Sequence, residues 1–138
     1  MRARAIVVAA VVTTMLCFGA AASSAKDICV QDDAGGVFWV FAKVKALKPG
    51  KVVALNGIYG PGGIGAPITG TAFMTTGGAV HIGVFVHSMA PFSGLNITVN
   101  ETTDATFTGT GNYENSGDST ADGTITWTNV DCSTVPAP

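Results

Sequence analysis

Arginine is almost missing from this chain. Its 138 residues hold only Arg2 and Arg4, both within the first four positions. Residues 1–25 read as a secretory signal peptide. The two arginines form its positive end, and Ala5 to Phe18 is apolar apart from Thr13 and Thr14. Ala20-Ala21-Ala22 and Ser23-Ser24-Ala25 each place small residues three and one before a cut. The apolar run falls short of the ~20 residues a spanning helix needs, so cleavage is expected rather than anchoring. Leu16 stands where a lipoprotein signal wants a small residue, so Cys17 is expected to leave with the signal. The mature chain, residues 26–138, then has no arginine. Five lysines against nine acids give it a net charge of −4. Nucleic-acid binders neutralise phosphates with clustered Lys and Arg, which excludes that role here.

Cysteine is scarce as well. Cys29 and Cys132 stand near the two ends of the mature chain, with no C-x-x-C and no histidine beside either in sequence. In an oxidising compartment such a pair forms a disulfide. The closed loop of about 100 residues corresponds to up to ~4.7 kcal/mol in the chain-entropy model. A bridge also predicts that the first and last segments meet. No free thiol then remains, and no G-x-S-x-G appears, so nothing marks a nucleophile. The balance leans against an enzyme, and no cofactor is expected.

Helical periodicity is missing too: no stretch keeps a 3.6 period for three turns. Thr, Val and Gly dominate instead. Seven strands are read at Val37–Leu47, Val52–Tyr59, Ile68–Thr75, Ala79–Met89, Leu95–Glu101, Ala105–Tyr113 and Thr124–Asp131, with an eighth around Ile28–Gln31. Lys48-Pro49-Gly50, Thr76-Gly77-Gly78 and Thr102-Thr103-Asp104 are hairpin-length links. Successive hairpins make an all-β, up-and-down antiparallel meander. With joined ends it closes into a small seven- or eight-stranded barrel, removing exposed edges. A β-sandwich is the alternative. It wants Greek-key crossovers and a mid-chain Cys…Trp…Cys arrangement, and here the cysteines are terminal. The barrel is similar in architecture to the lipocalins and other calycins. Their Gly-x-Trp spacing is not kept, because "GGVFWV" sets Trp39 three residues after Gly36. No family is identified.

Alternation differs along the chain. Leu95, Ile97 and Val99 oppose Asn96, Thr98 and Asn100, and Phe107, Gly109, Gly111 and Tyr113 oppose Thr106, Thr108, Thr110 and Asn112. Rows of Thr and Asn read as a solvated outer face. Inward glycines signal curvature or close backbone approach. The stretches Val37–Val44 and Val80–Val86 are instead apolar on both faces. A barrel strand of that kind has something covering its outside, either a homo-oligomer contact or a packed terminal segment.

Histidine occurs only twice, His81 and His87. Six strand residues separate them by about 20 Å, too far to share a metal or a catalytic step. In "NSGDSTADGT", Asp118, Thr120 and Asp122 take the first, third and fifth places of a calcium loop. Asn129 stands where the bidentate glutamate belongs, leaving Asp118 and Asp122 only a weak calcium candidate. The glycines of Gly60–Pro67 lack the lysine and helix of a phosphate cradle. Glu101 and Asp104 are read as solvated residues flanking a tight turn. Asn96 and Asn100 begin glycosylation sequons.

The aromatics carry the remaining signal. Trp39, Phe41, Phe85, Phe107, Tyr113 and Trp127 fall at strand positions. With His81 or His87 as polar anchor they are the candidate lining for a small apolar ligand. The first functional expectation is therefore an exported binding barrel, secreted, periplasmic or in the cell envelope. The alternative is a structural or interaction protein with a solid interior that acts as a homo-oligomer or surface-assembly unit. The third is a barrel isomerase or cyclase. Lys43, Lys45, Lys48 and Lys51 gather at one hairpin as a candidate contact for an anionic surface.

Overall fold

The computed structural model describes residues 25–60, 65–87, 97–114 and 120–136. Eight strands run β1 Lys26–Asp32, β2 Phe38–Val44, β3 Val52–Gly60, β4 Ala66–Met74, β5 Val80–Val86, β6 Ile97–Thr103, β7 Gly109–Glu114 and β8 Gly123–Val130. Each pairs antiparallel with the next, and β1 pairs with β8, so the meander is a closed barrel. Closure leaves no strand edge free for pairing with another chain.

Period-two alternation decides what fills the barrel. Val80, Ile82, Val84 and Val86 of β5 are buried, while His81 and Phe85 between them are exposed. Trp39 and Phe41 turn inward from β2, and Ile125 and Trp127 from β8. Inward glycines let neighbouring strands approach. A Cβ on Gly57 would lie 1.8 Å from the Val40 carbonyl oxygen, and one on Gly111 would lie 2.0 Å from that of Asn100. No side chain fits there, which is how so small a barrel bends.

Several strand ends differ from the periodic reading, and those of β2, β6 and β7 move candidate residues. β5 ends at Val86, and the last residues of its expected span lie outside the described residues. β2 stops at Val44 rather than Leu47. Its pairing with β1 shifts between Lys26 and Ile28, and Lys43 sits at φ 51° with its N–H donated to Asp27 Oδ1 at 2.8 Å. This bulge breaks the alternation that would have put Lys43 and Lys45 on one strand face. β6 runs on to Thr103, so Thr102 and Thr103 belong to the ladder, not to a turn. β7 begins only at Gly109. The turn between them is Asp104–Thr108. Asp104 Oδ1 accepts from the Thr106 N–H at 2.7 Å and its hydroxyl at 2.6 Å, and from the Thr108 N–H at 3.2 Å. Phe107 takes φ 63° there and is fully buried. A left-handed non-glycine residue costs roughly 1–2 kcal/mol. Packing its ring on Phe41, centroids 5.2 Å apart, offsets that cost.

The Lys48–Lys51 turn fits its sequence. Pro49 presets the first corner, Gly50 supplies φ 72° at the second, and the Lys51 N–H donates to the Lys48 carbonyl at 3.0 Å. Cys29 faces outward from β1 and is disulfide-bonded to Cys132, Cα atoms 5.2 Å apart. The short 3-10 turn Cys132–Thr134 lies over it, so a terminal segment covers this part of the exterior. Among the described residues no helix is long and apolar enough to cross a membrane.

Candidate functional site

The eight candidate ligand residues separate into two groups. Trp39, Phe41, Phe107 and Trp127 meet inside the barrel, with centroids 5.0 Å apart for Trp39–Trp127 and 5.5 Å for Phe41–Trp127. Tyr59 adds an edge-on contact to Trp39 at 4.5 Å, and Tyr113 is half-buried against the same core. His81, Phe85 and His87 lie on the outer face, where they cannot join the interior aromatics. His87 Nε2 shares a hydrogen bond with Thr69 Oγ1 at 2.8 Å, and its ring stands edge-on to Phe85. His81 Nδ1 lies 3.3 Å from Thr102 Oγ1. The two histidines thus have separate partners from different strands.

One pole of the interior is polar. Asp32 is buried. Its Oδ2 accepts from the Trp39 indole N–H at 2.8 Å and its Oδ1 from the Val37 N–H at 3.0 Å. This clamp fixes the Trp39 ring. Burial, and next the Asp32 carboxylate nearby, push the Tyr59 hydroxyl above its ordinary range.

Glu101 is the residue the turn assignment misplaced. Because β6 continues past it, Glu101 follows Val99 on the inward face and is 3 % exposed. Its neighbours across the ladder are Ile82 and Gly111. Neither carboxyl oxygen has a hydrogen-bond partner, and the buried Trp127 indole N–H has none either. Loss of hydration, with a smaller contribution from Asp33, pushes the Glu101 pKa up to about 8. The carboxyl is therefore neutral at pH 7. The alternation through Leu95, Ile97 and Val99 was the signal that could have found it.

Two recesses stand out. A cleft of about 210 Å³ at one rim lies among Ile28, Val44, Leu47, Met74 and Ala105, with Lys26 and Lys45 beside it. A wider groove of about 530 Å³ crosses the outside of β4–β7. The register builds it from two rows. Thr71, Gly83, Asn100 and Asn112 are consecutive neighbours, and so are Phe73, His81, Thr102 and Thr110.

Lys43, Lys45, Lys48 and Lys51 are all exposed at the rim where β2 ends and β3 begins. Of the calcium candidates, Asp118 lies outside the described residues, as does the sequon residue Asn96. The Asp122 N–H donates to the Tyr113 carbonyl at 2.9 Å. Among the described residues no group of three or more His, Cys, Asp or Glu gathers to hold a metal. Comparison with family models, curated proteins and solved structures finds no match for this chain.

Proposed function

We propose that this chain is an exported, non-catalytic interaction barrel that works through its outer wall and joins a second copy of itself. The observation behind this reading is where the apolar side chains lie. Tilted and edge-on aromatics fill the interior, while Val52, Ile58, Phe73 and Phe85 remain exposed on β3, β4 and β5. Val40, Ile58 and Pro67 extend that wall as adjacent neighbours across β2, β3 and β4. Val52 and Phe73 pair as a second apolar spot on the same wall, with Ala54, Asn56, Thr69 and Thr71 between the two. Exposed apolar surface is characteristic of association sites. Export agrees with the signal-like N-terminal segment and the Cys29–Cys132 bridge. Sedimentation velocity at micromolar concentration tests it. A dimer or larger species is expected, and Ile58→Lys should return it to monomer without lowering its melting temperature. A wild type that stays monomeric throughout that range overturns the reading.

The rim cleft favours a second reading, binding of a small apolar ligand. Its lining is mostly apolar, but about 210 Å³ is below the usual range of about 300–1,000 Å³. Native mass spectrometry of protein from its source separates the two, since it reports bound mass and subunit number together. An isomerase or cyclase draws less support, because the Glu101 carboxyl is sealed from solvent.

A further inference from the structure

Gly83 is a strand-interior glycine that the fold does not require. Glycine weakens a strand, so its presence there needs a reason. At Gly57, Gly70, Gly109 and Gly111 the reason is close backbone approach, with a Cβ falling 1.8–2.2 Å from a carbonyl oxygen of the next strand. At Gly83 a Cβ would meet only Asn100 Oδ1, at 3.6 Å, an ordinary contact. Gly83 faces outward, and the missing side chain leaves the floor of the β4–β7 groove open. The other physical reason for a strand glycine is close approach by a ligand.

The groove's chemistry narrows that ligand. Asn100 and Asn112 each offer amide donors and an acceptor, and Thr71 adds a hydroxyl that does both. Phe73 is an exposed ring at one side. Glu101 lies in the same segment, but its side chain turns inward and is buried. No lysine or arginine lines the groove and its one basic side chain is His81, at the edge beside Phe73, so an anionic ligand would find no fixed positive charge over Gly83. A purely apolar ligand would leave the amides desolvated and unpaired. A peptide adding as a strand would need a free sheet edge, and the barrel has none. A neutral polyol with one apolar ring face meets every condition. The volume of about 530 Å³ is within the range of small-ligand sites, about 300–1,000 Å³.

We infer that the groove over Gly83 binds a neutral oligosaccharide, with a pyranose ring on Gly83 and its C–H face against Phe73. Hydroxyls on that ring pair with Asn100, and those of the next ring along the groove with Asn112, one strand further on. This site goes beyond self-association and does not rest on it, since the Val40–Ile58–Pro67 end of the apolar wall lies about 20 Å along the strands from Phe73. The test is calorimetric titration of the mature protein with maltotetraose, cellotetraose, mannotetraose and chitotetraose, and with an alginate tetramer as the anionic arm. At least one neutral probe should bind at millimolar concentration or below, and alginate should not. Gly83→Leu fills the floor and should weaken that binding about ten-fold or more, as should Asn100→Ala. Gly83→Ser, a smaller change, guards against misfolding and should give an intermediate loss at an unchanged melting temperature. The inference is overturned if no neutral probe binds the wild type, if alginate binds as well, or if folded Gly83→Leu and Gly83→Ser bind like the wild type. It is also overturned if Gly83→Leu alters the sedimentation profile while leaving sugar binding intact, because the groove would then be a protein contact.

Discussion

The two halves of the barrel wall solve the same geometric problem with different chemistry. Strands β2–β5 are apolar inside and carry exposed Val52, Ile58, Phe73 and Phe85 outside. Strands β6–β8 present Thr98, Asn100, Thr102, Thr110, Asn112, Thr124 and Thr128 to solvent, and they place Glu101 and Thr103 in the interior. A wall whose outside is polar needs no cover. A wall that is apolar on both faces gains from one, and for β1 the C-terminal turn and disulfide already supply it. The groove over Gly83 lies across the seam between the halves, drawing Phe73 from one and the Asn pair from the other.

The sharpest way to test the polar half is its buried acid. Glu101 has a folded pKa of about 8 against an ordinary 4.5. Between those values the folded state holds a proton that the unfolded state has lost, so stability falls as pH rises. At about 1.4 kcal/mol per unit, the fall sums to on the order of 5 kcal/mol and levels off above the folded pKa. Denaturant unfolding at pH 5, 7 and 9 should show this decline. Glu101→Gln stays neutral and should flatten it, becoming more stable than the wild type at pH 9. Tyr59 ionises above this range, and Asp33, Asp104 and Asp131 titrate below it. A wild-type profile that is flat from pH 5 to 9 would show that the carboxyl finds hydration or a partner in solution.

A smaller effect separates glycines that shape the wall from the one that leaves it open. Gly111→Ala drives a methyl group into the Asn100 carbonyl and the Glu101 carboxyl. It should cost about 3 kcal/mol. Gly83→Ala should change stability by no more than about 0.5 kcal/mol, as for an unremarkable surface site. Equal losses from both, measured by thermal unfolding, would show that Gly83 is structural after all.

The architecture was legible in the sequence because its signals are local and repeat. Alternation in Leu95–Asn100 and Gly109–Tyr113, short Gly-bearing links and terminal cysteines all pointed to one closed meander. What escaped depended on single backbone departures. Phe107 takes a left-handed conformation that no glycine announces, so the β6–β7 turn was placed several residues early and Glu101 was read as solvated. Lys43 bulges at φ 51°, so counting by twos failed beyond it. Trp39, Phe41 and Trp127 were candidate lining only because they fall at strand positions. Val37–Val44 is apolar on both faces, so parity could not show that Trp39 and Phe41 turn inward, or that Phe85 and both histidines point the opposite way. The groove was invisible for another reason: it is defined by register among four strands, which no single strand's pattern encodes.

The smallest expected effect concerns the rim where the apolar half begins. Lys43, Lys45, Lys48 and Lys51 are exposed there, beside Val52, the most exposed of the large apolar residues. Charges in this position keep apolar strands from aggregating, and they also form a candidate contact for an anionic surface. Asp104 and Asp131 lie at the same end of the strands. Hydrogen bonds, chiefly from Thr106 and Ser133 respectively, hold both below the usual carboxylate range, so they stay charged and offset part of the lysine field. Any attraction to an anionic membrane should therefore be weak and confined to low salt, since exposed charges are screened beyond about 10 Å at 0.1 M. Cosedimentation with phosphatidylserine vesicles should show binding that disappears as salt is raised. Lys48→Gln with Lys51→Gln should remove most of it and leave the melting temperature unchanged, because neither side chain packs in the core. If the wild type ignores the vesicles at low ionic strength and the double variant aggregates on heating, the lysines guard the apolar half and have no partner of their own.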